Sequence, residues 1–418
     1  MKVKTVSVLI CTYNRARLLR EALIALQAQH EPPDCEVEII IVDNNSTDNT
    51  PAVVAEAAAA GPYRIVSLKE TAQGKSFALN TGLARATGDV LALTDDDVLP
   101  ATDWLARIVE QFRTRDVVFV FGKVLPRWGR TPPPELLTPE AQGIWGPLAI
   151  VDYGDAPMDY LPDSQMQRLP VGANLAFSRA VLVAIGAWRT DLGKVNNTLV
   201  SGEDHEIFMR LRRFNMYRGY YDPLASVQHF VPASRLTRRY FRRWFFWHGK
   251  TKALMIDDLY PELDFARVPR VCGSPRFALR QSGQQLWRYV RSRGSADAVN
   301  ALKQELYLIE YAGLFAQCWT MWRRSRGAAA APGTASKAGA AARALVLVAL
   351  IGCGGVSTTA APHVQLTIRD GRVWILAARD DRCDRRRLHE RRAPDVRPGA
   401  RLSQCGALAV RARDQAAG

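Results

Sequence analysis

Three consecutive aspartates close an apolar run in LALTDDDVLP, residues 91–100. On an extended strand, side chains two apart point the same way, so Asp95 and Asp97 are expected to face one ligand. Carboxylates set beside a diphosphate repel it unless a hard cation lies between them. Oxygen ligands and phosphates together suit Mg²⁺ or Mn²⁺. Further along, Glu203 and Asp204 open a helical stretch over residues 203–214, where acids suit the positive end of the helix dipole. A third group joins cations to aromatics: LTRRYFRRWFFWHGKTKAL, residues 236–254, where the stretch from Arg235 to Lys252 holds seven basic residues and no acid.

The elements that would position these residues alternate in type. VSVLICTY, EVEIIIVD, YRIVSLK and DVLALTD read as strands, and Arg17 to Ala28, Thr50 to Ala60 and Gly74 to Arg85 as the helices between them. That alternation predicts a parallel α/β sheet with right-handed crossovers. The near-continuous apolar strands fit a sheet covered on both faces. In such sheets ligands bind beyond the carboxyl ends of the strands. The polar clusters Thr12 to Arg15, Asp43 to Ser46 and Asp95 to Asp97 fall at those ends. Residues 122–170 are Pro-rich and irregular; VGANLAFSR reads as a short strand, Arg179 to Ile185 as a helix, and 296–323 as a long apolar helix.

Composition narrows the class. Hydrophobic content of 48% and charged content of 23% are those of a globular protein, and the seven cysteines include no CxxC pair, so neither a disulfide framework nor a zinc site is expected. The N-terminal apolar run is too short for a signal peptide and meets Tyr13, Asn14 and Arg15 without a cleavage box. The net charge of +15 points to a nucleotide diphosphate, lipid pyrophosphate, anionic membrane or nucleic acid as partner, and composition does not choose among them. After Gly327 the character changes: residues 327–418 carry 15 Lys and Arg against 7 Asp and Glu and begin with an Ala- and Gly-rich linker. ALVLVALIGCGG within it is short of the ~20 apolar residues a bilayer span takes. Residues after about 330 read as a fusion or reading-frame artefact without part in catalysis, the alternative being a real basic tail; 327–418 is expected as a low-complexity linker and disordered tail. A first domain over 1–232, with halves at about 1–120 and 121–232, is followed by a basic aromatic helical extension over 233–326.

Four segments in order, VSVLICTYNR, EIIIVDNNSTDNT, GKSFALNTGLARATGDVLALTDDD and SGEDHEIFMRL, resemble the family 2 glycosyltransferases over roughly residues 5–250. The resemblance implies the GT-A fold, a Rossmann-like mostly parallel sheet flanked by helices, here with a C-terminal helical extension. It implies an inverting, nucleotide-sugar-dependent hexosyltransferase serving polysaccharide, cell-envelope or lipid-linked glycan synthesis. Thr12, Tyr13, Asn14, Arg15, Asp43, Asn45, Lys75, Asn80, Asp95 and Asp96 would then bind the nucleotide sugar. Asp95, Asp97 and His229 would hold Mg²⁺ or Mn²⁺. Asp204 would be the base, with Glu203 as its orienter or an acceptor contact, and Gly172, Asn174, Arg243 and Trp244 would line the acceptor side.

UDP-sugars are the first donors this implies, with a glycan or lipid-linked acceptor, a membrane surface met by the basic aromatic segment, and no nucleic acid. A cytoplasmic protein, peripheral at the inner face of the cell membrane, is expected. YFRRW departs from the QxxRW of processive synthases by placing Tyr240 where the Gln stands. The alternative is a catalytically silent protein that binds nucleotide sugar or glycan, against which the intact DDD and ED motifs speak. A nucleotidyltransferase would need a Gly-rich N-terminal loop, a dehydrogenase GxGxxG after the first strand, and a nucleic-acid binder a reader motif; none is found.

Overall fold

The computed structural model describes residues 1–160, 169–195, 198–294 and 297–329, with the backbone of three further strands at 363–369, 372–378 and 408–411. The first elements are β1 (Thr5–Thr12), α1 (Ala16–Gln27), β2 (Glu36–Asp43), α2 (Thr50–Ala60), β3 (Arg64–Lys69), α3 (Lys75–Arg85) and β4 (Val90–Asp95). A turn leads to β5 (Val98–Pro100), then α4 (Trp104–Thr114), β6 (Phe119–Phe121), β7 (Val124–Trp128), β8 (Met158–Tyr160), β9 (Leu175–Ser178) and α5 (Arg179–Ile185). Then come α6 (Glu203–Arg213), β10 (Gly219–Tyr221), β11 (Val227–Val231), α7 (Arg238–Leu254), α8 (Ile256–Leu259), the short β12 (Arg270–Val271) and β13 (Ser274–Pro275), α9 (Arg276–Ser292) and α10 (Ala298–Ala329).

Eight strands form the main sheet in the order β3-β2-β1-β4-β9-β6-β10-β8. Its first four strands are mutually parallel, and β9 enters antiparallel to both β4 and β6. Val6, Val8, Ile10, Ile39 to Val42 and Val90 to Leu93 are buried on both faces, as the unbroken apolar runs require. A small sheet, β5-β11-β7, stands beside the site end. In it His229 lies opposite Val98, and the Phe230 amide donates to the Asp97 carbonyl at 2.9 Å. The sequence reading passed over α4, although Trp104, Leu105, Ile108, Val109 and Phe112 recur at helical spacing and are all buried.

The basic aromatic segment is α7, and much of its aromatic content faces inward. Phe241, Phe245 and the half-buried Trp244 join Leu136, Ile144, Leu148, Leu302 and Leu306 in a second core. Helices α7 and α10 touch through glycines: a Cβ on Gly249 would lie 1.8 Å from the Glu310 carbonyl oxygen, and one on Gly313 1.9 Å from that of Phe246. Inside this contact Glu310 binds His248 Nδ1 at 3.0 Å and Lys252.

The expected tail and its linker lie largely outside the described residues. The backbone of 363–369, 372–378 and 408–411 forms an antiparallel three-stranded sheet, β14-β15-β16. HVQLTIR alternates apolar with polar residues, and RVWILAA is rich in β-prone ones. Among the described residues no helix is long and apolar enough to cross a membrane.

Candidate active site

Parallel pairing brings the strand ends together: Cys11 stands level with Asp95, and Thr12 with Asp43. At the start of α3, Gly74 takes φ 146°, a backbone that admits Lys75 to the same corner. Lys75 Nζ donates to Asp95 Oδ1 at 3.1 Å and lies 3.7 Å from Glu203 Oε1. A tight cleft is lined by Cys11, Lys75, Leu79, Leu93, Thr94, Asp95, Gly172 and Asp204. Burial pushes Asp95 up, but Lys75, aided by Lys194, outweighs it and holds the carboxyl well below the usual range. Lys75 stays charged despite its own burial, because Asp95, Asp204 and Glu203 surround it.

The three aspartates do not alternate as a continuous strand would have them. Strand β4 ends at Asp95, and Asp96 and Asp97 form a turn before β5. That turn puts Asp96 and Asp97 together on Arg15, whose Nη1 reaches Asp96 Oδ1 at 2.9 Å and Asp97 Oδ2 at 2.6 Å. The Thr12 hydroxyl donates to Asp96 Oδ2 at 2.8 Å. Burial, opposed by Arg15 and helped by Asp97, pushes Asp96 up to about 6.

The expected metal set Asp95, Asp97 and His229 is therefore divided: Asp95 belongs to Lys75, while Asp97 and His229 face each other. Among the described residues no three His, Cys, Asp or Glu side chains form a cluster of metal-holding shape. The remaining pair still fits a divalent ion. Asp97 Oδ1 and His229 Nδ1 are buried without a hydrogen-bond partner, and Asp97 Oδ1 lies 3.6 Å from His229 Nε2. Two ligands each about 2.1 Å from one ion stand roughly 3 Å apart or slightly more. Burial pushes His229 down to about 4, so its ring is neutral at neutral pH, and a cation on Nε2 would take the place of Arg235 Nη1, which lies 3.3 Å from it.

Asp204 sits in the first turn of α6, after Gly202 at φ 96°. Its Oδ2 accepts from the Gly172 amide at 2.8 Å, whereas Oδ1 is buried with no hydrogen-bond partner. Only a glycine fits opposite, since a Cβ at 172 would meet Asp204 Oδ2 at 2.9 Å. Burial, with Glu203 adding repulsion and Lys75 opposing both, pushes Asp204 up to about 6. Burial likewise keeps the Cys11 thiol protonated beside it. A carboxylate held in this way, with one oxygen anchored and one unpartnered, can accept a proton.

Several expected contact residues are structural. Asn80 spends its amide on Trp188, donating to its carbonyl at 2.9 Å and accepting from its amide at 2.8 Å. Asn174 is buried and holds Trp104, Lys123 and Ala225 together, so its amide is spent inside the protein. Asn14, at φ 53°, accepts from the Thr47 amide and ties two loops. Asn45, at φ 69°, donates to the Thr71 carbonyl. Asp43, half-buried at the end of β2, anchors one oxygen, Oδ1, on the Ser46 amide at 2.8 Å and is not in this structural group. Trp244 stacks on His248 with centroids 4.7 Å apart, within the α7 core rather than open on a cleft; Arg243 is exposed on the same helix. Tyr13, by contrast, is 45% exposed at the strand-end loop and available to a ligand.

Two cations escaped the sequence reading as site residues. Arg235 is buried with Nη1 3.3 Å from His229 Nε2. Lys194, although solvent reaches much of it, has its ammonium in the crowded site, where desolvation and then Arg235 and Lys75 lower its pKa. Arg235, six residues after His229, is signalled by that spacing alone; Lys194 lies in a loop without a motif. Asn44 lies in the turn after β2. It is the buried hub that accepts from the Gly74 amide at 2.7 Å and donates to the Glu70 and Ala72 carbonyls, thereby fixing the start of α3.

Comparison with known proteins agrees with this architecture. A family model described as Glycosyl transferase family 2 matches residues 7–149. An uncharacterized glycosyltransferase of Nostoc is 41% identical over 115 residues, 28% of this chain and 35% of its own length. A glucosyl-dolichyl phosphate glucuronosyltransferase of Haloferax volcanii is 26% identical over 260 residues, 62% of this chain and 79% of its own. The succinoglycan biosynthesis protein ExoM of Rhizobium meliloti is 34% identical over 124 residues, 30% of this chain and 40% of its own. Thus the chain spans well under half the length of the first and third of these relatives and about four-fifths of the second. Among solved structures, a Pyrobaculum calidifontis mannosyltransferase aligns over 80% of this chain and 77% of its own at 22% identity, with a TM-score of 0.43, too low for its ligands to bear on this site. The parallel strands β1 to β4 and the aspartates that follow them lie within the residues, 7–149, over which this chain is similar to glycosyltransferase family 2.

Proposed function

We propose that this protein transfers a sugar from a nucleoside diphosphate to an acceptor hydroxyl with inversion at the anomeric carbon. The observation that carries the reading is Asp204: one carboxylate oxygen tied to the Gly172 amide, the other buried without a partner, in the cleft that also holds Lys75 and Asp95. The acceptor oxygen attacks the anomeric carbon as its proton passes to Asp204 Oδ1. The bond from that carbon to the diphosphate oxygen breaks, and the diphosphate leaves with the electron pair. Lys75, Lys194 and Arg235 supply positive charge on the leaving-group side. Asp97 and His229 would hold a Mg²⁺ or Mn²⁺ ion, which supplies further charge neutralisation to the diphosphate. Arg15 keeps Asp97 Oδ2 occupied so that Oδ1 is the oxygen presented. Tyr13 and Asp43, on the first two strand ends, receive the base and ribose.

UDP-sugars are the donors we favour, and the acceptor is a growing polysaccharide or lipid-linked glycan made at the cytoplasmic face of the membrane. The relatives from Haloferax volcanii, named for a dolichyl phosphate-linked sugar, and Rhizobium meliloti, named for succinoglycan, support that class. A thermal-shift panel of UDP- and GDP-sugars with Mn²⁺ selects the donor, and proton NMR of the transfer product reads its anomeric configuration. Retained configuration would overturn the mechanism, and stabilisation by no nucleotide sugar would overturn the function.

A further inference from the structure

Helix α9 has a face that the rest of the described chain leaves bare. One side packs inward: Ala278, Gln285 and Ser292 are buried, and Gln285 Nε2 donates to the Gln304 carbonyl of α10 at 3.0 Å. On the opposite side Leu286, Trp287 and Val290 are 43%, 59% and 62% exposed. At 100° per residue, Leu286, Val290 and Trp287 share one stripe, and Arg280 and Arg291 fall beside it. The Arg291 guanidinium lies 4.7 Å from the Trp287 ring centre. Arg276, Arg280, Arg288 and Arg291 lie on α9, Arg293 follows it, and the helix contains no acid. None of the five is in an ion pair among the described residues.

We propose that this face docks on an anionic phospholipid surface. Aliphatic and tryptophan side chains at the crest of a helix, flanked by arginines, match an interfacial helix lying in the plane of the membrane. The arginines meet lipid phosphates while Leu286, Trp287 and Val290 enter the boundary of the acyl chains. This assignment differs from the one the sequence suggests, because α7, the more obvious basic aromatic segment, buries Phe241, Phe245 and part of Trp244 in the protein. The chain's own C-terminal segment is a poor cover for α9, since residues 330–418 are themselves basic, with 15 Lys and Arg against 7 Asp and Glu. A nucleic acid would be attracted by the same charge, but Leu286 and Val290 offer it neither stacking nor hydrogen bonds.

The full chain is to be sedimented with vesicles of phosphatidylcholine alone and of phosphatidylcholine mixed with phosphatidylglycerol, without donor or acceptor, so that a failure here leaves the sugar-transfer reading untouched. Binding is expected on the mixed vesicles and to fall with salt. R280Q/R291Q should weaken it about fivefold per arginine, the equivalent of about 1 kcal/mol each. W287S/V290S should weaken it at least about tenfold through lost apolar burial, with unchanged circular dichroism. Equal partition onto both vesicle types, or full binding by both double variants, would overturn the proposal. So would tighter binding to a DNA duplex that W287S/V290S leaves intact, which would assign the face to nucleic acid.

Discussion

Replacing Asp204 by Asn tests the proposed mechanism most directly, because it removes the proposed base and keeps its shape. An Asn oxygen can still accept from the Gly172 amide, which in the wild type donates to Asp204 Oδ2 at 2.8 Å, so the fold should lose no more than about 1 kcal/mol. A positioned general base contributes about 10²–10⁴-fold, so kcat should fall by that factor, a barrier rise of about 3–5 kcal/mol. Donor affinity should hardly move. The same group sets the pH profile. With its pKa raised to about 6, Asp204 is ionised by about ten to one at pH 7 and protonated by about ten to one at pH 5. The base works only when ionised, so wild-type turnover should drop about tenfold between those pH values. Asp96 rises to a similar value, but it touches Thr12 and Arg15 on the donor side, and its protonation should appear in the donor KM. The assay is initial-rate transfer at saturating Mn²⁺ across pH 5–8. D204N with kcat near wild type, or a residual rate that keeps the same acid limb, would refute the assignment.

K75M should weaken donor binding and lower stability by about 3 kcal/mol in urea titrations, because Asp95 and Glu203 lose the cation between them. It should also move the acid limb upward, since Lys75 opposes the rise of the Asp204 pKa. D97N and H229A should each raise the Mn²⁺ midpoint in thermal-shift titration by more than about a hundredfold, exceeding the usual loss from outer-shell partners, and excess EDTA should stop wild-type transfer. For E310Q, the folded-state carboxyl is depressed to about 2 from 4.5, so its stabilisation is present above the unfolded value and lost as pH falls from about 4.5 towards 2. E310Q should therefore cost about 2–3 kcal/mol at pH 7 and little at pH 2, as measured by urea unfolding.

The strand and helix pattern of the first domain was legible because each element carries its own period. EVEIIIVD, Thr50 to Ala60 and Arg179 to Ile185 end where the structure ends them. Helix α4 and strands β5 to β8 were not read, since short strands and Pro-rich loops leave little periodic signal. At the site, the position of Asp204 at the start of a helix was legible from Glu203-Asp204, but its unpartnered oxygen depends on Gly172, distant in sequence. The bonds that Asn80 and Asn174 make inside the protein were not legible for a related reason. Each amide is consumed by a backbone that only the folded chain brings within reach, and no local pattern distinguishes such an amide from one that meets a ligand.

What the residues determine by themselves is the order of strands and the acids, lysine and glycines at their ends, because apolar periodicity and backbone permissiveness act over a few neighbours. What the tertiary structure alone decides is which of those polar groups neutralise one another. The turn after Asp95 gives that residue to Lys75 and gives Asp96 and Asp97 to Arg15; the small sheet then sets His229 beside Asp97. Charge pairing depends on distances of a few ångströms between segments far apart in the chain, and these exist only once the sheet has formed.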